Sequence, residues 1–379
     1  MDTFISRVRR FWLRKRESAL LSRPIKADKS KVLLVKLDKL GDYILFRNFI
    51  EEAHRHYKQG EIILCGNIAW KELSEKLDAE FVEAFIWVAP SRLEDDSYRL
   101  SVYKKIRKAG CDKVMHCSYS RALWVDNIVL RSGAKEIITF YGDETNMPGT
   151  VKKENDAKYT LLVPSPAECM FEFDRNKLFF EYIFQERLEI NKPFIKTVKS
   201  ATQNQVPYIV IFPGAGHAAR RWAPSNFAAL CNSLFQLYKL PIYVCGAENE
   251  LGLAKDIIAL SGSFVINKIG AYSLPEMTEV IREASLVITN DSGPLHLAMA
   301  VNTPTICISN GNHFERFCPY PRDMNMPLNV VFPDEFEAKI KDETMVRSLR
   351  CKGSDIDINL IGPDKVFNSI KSSNFIKYA

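Results

Sequence analysis

The chain reads as an α/β protein with two doubly wound, Rossmann-like halves. Three observations carry that reading. Short segments rich in β-branched and large apolar residues recur, helical patterns fill the gaps between several of them, and the recurrence comes in two series separated by a polar stretch. At 379 residues and 46% hydrophobic, the chain is long enough for two cores of ordinary size.

The first series is "KVLLVKL" (31–37), "EIILCG" (61–66), "FIWV" (85–88), "KVMHCS" (113–118) and "EIITFYG" (136–142). The second is "YIVIFPGAG" (208–216), "PIYVCGAEN" (241–249), "FVINKIG" (264–270), "LVITNDSG" (286–293) and "PTICISNG" (304–311). Between them, "INKPFIKTVKSATQNQV" (190–206) is polar and lacks periodicity, which places the joint there. The expected organisation is an N-terminal arm over 1–30, a first domain over 31–195, a second over 206–345 and a C-terminal segment over 346–379.

Charge is concentrated in the arm. Residues 1–30 hold nine Lys and Arg against three acids, an excess of +6 that equals the net charge of the whole chain. Phe4, Ile5, Val8, Phe11 and Trp12 recur at helical spacing, while Arg7, Arg10 and Arg14 fall on other faces. That is the pattern of a basic amphipathic helix, which lies on an anionic membrane surface through residues 1–22 or packs its apolar stripe on the body. The rest of the chain has no basic excess, so nucleic acid is not an expected partner. No apolar run approaches the roughly 20 residues a spanning helix needs. The nine cysteines include no C-x-x-C pair and no secretory leader precedes them, so neither a disulfide framework nor a thiolate metal site is expected. The only D-x-D, Asp355 to Asp357, lies in a polar tail and reads as a solvated loop; no metal is expected.

In open α/β sheets ligands gather beyond the carboxyl ends of the strands. Four such places stand out. In "KLDKLGDYILF", Gly41 permits a tight turn or a close backbone approach, and Asp42 opens a helix, either as its cap or as a functional carboxylate. In "FPGAGHAARRWAP", Gly214 and Gly216 let backbone N–H groups face a ligand while Arg220 and Arg221 bring two permanent charges, a combination that suits a phosphate or pairs with surface acids. Glu248 and Glu250 in "CGAENE" accept ribose hydroxyls or cap a helix. In "TNDSGPLH", Asp291 or Ser292 caps a helix, Pro294 falls near its first turn, the N–H groups of Ser292 and Gly293 face an anion, and His296 sits one turn in.

Together "KLDKLGD", "PGAGHAARRW", "CGAENE" and "LVITNDSGPLHLAMAVNTPTICI", in order over residues 31–320, resemble glycosyltransferase family 9, the ADP-heptose:lipopolysaccharide heptosyltransferase family. The resemblance implies a GT-B fold, with two Rossmann-like domains facing across a cleft and a C-terminal helix that returns to the first domain. It implies an inverting transferase that uses no cofactor and no metal and moves a sugar, heptose from ADP-heptose, onto a lipopolysaccharide-type acceptor at the cytoplasmic face of the inner membrane. In that scheme Asp42 matches the general base for the acceptor hydroxyl, and Arg220, with its neighbour Arg221, matches a position that is usually Lys and contacts the diphosphate. Glu250, with Glu248 as second choice, matches the ribose-binding acid, and Asp291, Ser292, Gly293 and His296 match the loop around the phosphates and donor sugar.

Some positions depart from the family pattern. Asp38 and Lys39 stand where relatives carry serines, which alters acceptor contacts around Lys39 and Gly41. "SNGNHFERFCPY" replaces a G-P-T/S-D-P-x-R loop, leaving His313 and Arg316 as substitute donor contacts. Cys351 stands where some relatives carry a metal-binding cysteine cluster. Two other readings fit the same architecture: another nucleotide-sugar enzyme such as an epimerase, and a non-catalytic nucleotide-binding scaffold.

Overall fold

The computed structural model describes residues 4–57, 61–166, 169–196 and 206–376. The chain divides into two compact units, Met1–Pro166 with Arg175–Glu189 and Ala167–Asp174 with Ile190–Ala379.

Each unit is built on a six-stranded parallel sheet. The first contains β1 (Asp28–Lys36), β2 (Glu61–Asn67), β3 (Ala84–Val88), β4 (Cys111–His116), β5 (Glu136–Phe140) and β6 (Leu161–Val163), in the spatial order β3-β2-β1-β4-β5-β6. The second contains β7 (Ile209–Phe212), β8 (Ile242–Val244), β9 (Val265–Asn267), β10 (Leu286–Asn290), β11 (Thr305–Ile308) and β12 (Leu328–Val331), ordered β12-β11-β10-β7-β8-β9. Strand order reverses beside the first strand of each sheet, so each has a switch point, between β1 and β4 and between β7 and β10. Leu33, Leu34, Val35, Val210, Val287, Ile288 and Ile306 are fully buried, as expected of strands covered on both faces.

Helices α1 (Phe4–Leu21), α2 (Leu40–Phe46), α3 (Asn48–Tyr57), α4 (Lys71–Leu77), α5 (Asp96–Ala109), α6 (Leu123–Leu130), α7 (Gly149–Asp156) and α8 (Glu172–Phe184) accompany the first sheet. Helices α9 (Pro224–Tyr238), α10 (Leu251–Ala259), α11 (Leu274–Glu283), α12 (Gly293–Ala300), α13 (Asp334–Lys339), α14 (Glu343–Leu349) and α15 (Pro363–Ser373) accompany the second. No described helix is long and apolar enough to cross a membrane.

Every strand anticipated from sequence is present, and the two that were not, β6 and β12, are edge strands of three and four residues. Three features differ from, or add to, the reading of the sequence. The second unit takes in residues 167–174 as well as those from 190 onward. Helix α15, expected to return to the first domain, packs on α9, β11 and β12 and falls within the second unit. A disulfide joins Cys169 to Cys351 across a sequence separation of 182 residues. No local cysteine motif announces a pair formed by tertiary contact alone.

The arm is helical over Phe4–Leu21. Leu13 and Leu20 pack against the first core, Glu17 pairs with Arg131 at 3.0 Å, and Trp12 is 55% exposed. The side chains of residues 4–11 and of Arg14, on which most of the amphipathic reading rests, lie outside the described residues.

Candidate functional site

In the second unit, the loops that follow β7, β10 and β11 are knitted together by a few buried polar side chains. Asn290 closes β10 and is fully buried. Its amide donates to the Pro213 carbonyl at 2.8 Å, and its Oδ1 accepts the Trp222 N–H at 3.2 Å. Both ends of the β7 loop are thereby fixed to the end of β10. Asn310, after β11, donates to the Ala219 carbonyl at 3.4 Å and to Ile356 at 3.0 Å.

Glu250 lies on the other side of β7. Its Oε2 accepts the Ala247 N–H at 3.0 Å. A Cβ at Gly214 would stand 1.8 Å from its Oε1, and one at Gly246 2.4 Å from its Oε2. The carboxylate therefore occupies a seat that exists only because both flanking residues are glycine. Glu248, two residues earlier, packs instead against Gly270, whose Cβ would meet its Cγ at 3.0 Å. The structure separates two acids that sequence left as near equals.

Helix α12 begins at Gly293, with Ser292 at its cap position in extended conformation and Pro294 in its first turn. The first-turn N–H groups of a helix have no partner within it, and the dipole favours an anion there. Asp291 does not cap the helix. Its carboxylate accepts from the Ser309 hydroxyl at 3.3 Å and is buried. Burial pushes its pKa up to about 6, against the opposing pull of Arg220 and the Ser309 hydrogen bond. Arg220 thus acts on the same spot as Asp291, whereas Arg221 turns back to donate to the Ala215 carbonyl at 3.0 Å and is exposed. His296 is buried and its Nδ1 lies 2.8 Å from the Tyr320 hydroxyl. Burial lowers its pKa to about 4, so it is neutral and adds no charge to an anion site.

In the first unit, β1 runs out through Lys36, Leu37 and Asp38 into α2. Lys36 is buried, and its ammonium donates to the Cys117 carbonyl at 2.9 Å and pairs with Asp38 at 3.0 Å. Ser118 also donates to the Asp38 carboxylate. Burial by itself would raise the Asp38 pKa, but the Lys36 charge and these hydrogen bonds outweigh it and the net direction is downward. The Asp38 carbonyl accepts from Trp70 Nε1 at 3.0 Å and from Asn67 at 3.1 Å. Tyr43 stacks on Trp70 with ring centroids 4.3 Å apart, and its hydroxyl donates to buried Asp78, which also pairs with Arg47 at 3.0 Å. Asp42 lies in the first turn of a helix anchored at its entry and along its buried face. The cap position is Lys39, which is exposed and makes no side-chain capping bond, so Asp42 is not the cap. Gly41 lies within the helix and not in a tight turn.

The family model for glycosyltransferase family 9 (heptosyltransferase) matches residues 130–339, more than half of the chain. The chain belongs to glycosyltransferase family 9. Among relatives of this family 9 enzyme, the lipooligosaccharide heptosyltransferase 2 of Campylobacter jejuni (serotype O:2) is 23% identical over 288 residues, covering 75% of this chain and 82% of the relative. A glycosyl transferase family 9 structure from Veillonella parvula has a TM-score of 0.69 at 15% identity, covering 93% of this chain and 99% of that one. The E. coli ADP-heptose lps heptosyltransferase II structure has a TM-score of 0.66 at 15% identity, covering 90% and 98%. The protein is a glycosyltransferase of GT-B fold class.

In this glycosyltransferase the structure brings together Gly214, Glu250, Arg220, Asp291, Ser292 and Gly293 at the carboxyl edge of the second sheet. Gly216 lies in the exposed part of the same loop. Two expected donor contacts are engaged elsewhere. Arg316 pairs with Glu172 at 3.1 Å, and the His313 ring nitrogen lies 3.2 Å from the Cys351 carbonyl. Sequence reasoning passed over Asn290, Ser309 and Asn310, although polar residues directly after buried strands signal them. It also passed over Lys36, Asn67 and Trp70, whose roles depend on contacts from other strands. Asp355 and Asp357 are exposed, and Asp357 caps a short 3-10 turn through the Asn359 N–H at 2.9 Å. Among the described residues no group of three or more His, Cys, Asp or Glu side chains is placed to hold a metal.

Proposed function

We propose that this glycosyltransferase transfers heptose from ADP-heptose to a lipopolysaccharide-type acceptor, with inversion at the anomeric carbon and without a metal ion. The observation that carries this reading is the seating of Glu250 between Gly214 and Gly246, with Arg220 acting on Asp291 across the same β7 edge. That arrangement offers a carboxylate for ribose hydroxyls on one side of β7 and a guanidinium with a helix N-terminus for a diphosphate on the other. Donor and acceptor chemistry agree with what the similar proteins are named for.

The reaction follows from these groups. Asp42 takes the acceptor hydroxyl proton as that oxygen attacks the anomeric carbon from the face opposite the nucleotide. The bond to the diphosphate breaks, and the negative charge that grows on it is stabilised by Arg220 and by the oriented N–H groups of Ser292 and Gly293. The test combines ADP-heptose with a heptose-deficient lipopolysaccharide, reads the product by mass spectrometry and its anomeric configuration by NMR, and repeats the assay in EDTA. Asp42→Asn is expected to lower transfer by at least about a hundredfold, the scale of a lost general base, with ADP affinity unchanged. Sugar modification in the absence of an acceptor points to an epimerase instead. ADP binding without any transfer by the wild type points to a scaffold.

The acceptor side includes an anionic membrane surface, engaged by residues 1–22 as a peripheral contact at the cytoplasmic face. The support is the basic excess of this segment together with Trp12, which faces outward from a helix held to the body by Leu13 and Leu20.

A further inference from the structure

The first unit carries an aromatic side chain at the carboxyl edge of its sheet that neither the core nor the reaction uses. Tyr141 directly follows β5, whose last residue, Phe140, is fully buried, yet Tyr141 is 59% exposed. Its backbone is fixed. The Tyr141 N–H donates to the Val163 carbonyl at 2.9 Å, and Gly142 takes a left-handed φ of 69° where a Cβ would stand 2.4 Å from the Tyr119 carbonyl oxygen.

One face of the ring is occupied. The Lys152 ammonium sits 3.8 Å from the ring centroid, and its side chain is only 4% exposed. That ammonium is held at 2.8 Å by Asp156, which also pairs with buried Arg121, and Arg121 donates at 3.3 Å to the carbonyl of Phe140. The exposure of Tyr141 therefore belongs to its opposite face and edge. Fixing the ring from below removes rotamer freedom before anything binds, which lowers the entropic cost of stacking. The adjoining loop is polar and equally tied down: Ser120 donates to Asp143 at 2.7 Å, and the Asn146 amide donates to the Ser120 carbonyl at 2.9 Å.

Position gives this platform a role. Val35, His116 and Thr139 lie in register across β1, β4 and β5, so the ends of these strands are level. The end of β1, which leads through Leu37, Asp38 and Lys39 into α2 and Asp42, and the end of β5, which Tyr141 follows, lie two strands apart, about 10 Å at ordinary strand spacing. We infer that Tyr141 is a stacking platform for a sugar ring of the acceptor, one that lies beyond the residue receiving the transferred sugar. A pyranose presents a C–H face to an aromatic ring and hydroxyls at its rim, and here the rim meets Ser120, Asp143 and Asn146. The inference rests on the acceptor being a glycan, as proposed above, and deepens it: recognition extends past the reacting hydroxyl.

The experiment uses the full chain with ADP-heptose and two acceptors, heptose-deficient lipopolysaccharide and the delipidated oligosaccharide prepared from it, and it also measures calorimetric binding of that oligosaccharide without donor. Tyr141→Ala is expected to raise the KM for both acceptors, and to weaken oligosaccharide binding, by about tenfold, the scale of a lost aromatic stack. ADP affinity, the donor KM and the melting temperature stay at wild-type values, and Tyr141→Phe behaves as wild type because the ring is kept. Unchanged acceptor KM and binding in Tyr141→Ala overturns the inference. A loss confined to the intact lipopolysaccharide overturns it too, since that reports a lipid contact. A parallel rise in donor KM or a drop in melting temperature assigns Tyr141 a structural role instead. Calorimetry separates this inference from the function beneath it. If the wild type binds oligosaccharide through Tyr141 but transfers nothing, the transferase reading fails alone, and if it does not bind the oligosaccharide the platform fails.

Discussion

Asp291 and His296 sit five residues apart and are both buried, yet burial moves them in opposite directions, to about 6 and about 4. Desolvation disfavours whichever form is charged, so the acid holds its proton longer and the imidazole loses it sooner. The stability consequences oppose each other. For Asp291, the native state keeps a proton between 3.8 and about 6 that the unfolded chain has released, so stability falls as pH rises through that window. For His296, the unfolded chain gains a proton below 6.5 that the native state refuses until about 4, so stability falls as pH drops. In the wild type the two trends largely offset. Asp291→Asn keeps a group able to accept from Ser309 and removes the first trend. It is expected to stabilise the protein at pH 7.5 by up to about 3 kcal/mol, from a shift of about two pKa units, and by almost nothing at pH 4. Thermal melts at both pH values check this, and an equal melting-temperature difference at the two would refute the assignment.

At the scale of the element, two glycines after strands serve different purposes, and alanine separates them. At Gly142 the obstruction is backbone, the Tyr119 carbonyl oxygen, and φ is 69°, so alanine strains the loop at a cost of roughly 1–3 kcal/mol. At Gly214 the obstruction is the tip of a rotatable side chain, the Glu250 carboxylate. Gly214→Ala is therefore expected to leave the melting temperature within a few degrees while unseating Glu250. ADP affinity then falls by about ten- to a hundredfold, the scale of a lost charge-assisted hydrogen bond. Isothermal titration with ADP beside a melting curve decides it: a folding loss with intact ADP binding would mean that Glu250 does not serve the nucleotide. The same contrast explains why Glu248 and Glu250 look alike in sequence. Both lie in the same short turn, and the glycines at Gly214 and Gly246 determine which carboxylate is seated beside β7.

For the molecule as a whole, the basic arm and the cysteines set its relation to its surroundings. Deleting residues 1–22 removes Leu13 and Leu20 from the first core as well as the charge, so a deletion confounds folding with membrane contact. Trp12→Ala is the cleaner probe. It is expected to lower binding to anionic vesicles by about tenfold, the scale of one large apolar side chain leaving the interface, with folding unaffected. Co-sedimentation with anionic and neutral vesicles measures this, and equal binding by variant and wild type would remove the arm as a membrane contact. The seven free cysteines are all buried, and burial raises the thiols of Cys65, Cys117 and Cys231 to about 12, which leaves them unreactive in the native state. The Cys169–Cys351 bridge holds the Ala167–Asp174 excursion to the tail of the second unit.

The sequence by itself determined the two parallel sheets, the buried strands, the family and the polar, glycine-bearing loops that follow the strands. Those features rest on short-range periodicity and on Gly, Pro and polar residues at fixed offsets, which a linear reading detects. The short edge strands β6 and β12 escaped because three or four residues give too little alternation to register. Tertiary structure alone decided the rest: which of two glutamates is seated, that His296 is neutral, that Arg316 is committed to Glu172, that Cys169 meets Cys351, and that Lys36 and Trp70 hold the turn before Asp42. Each of these depends on what a neighbouring strand or loop places within a few ångströms. Burial, charge pairing and steric exclusion act through that distance, and sequence order does not encode it.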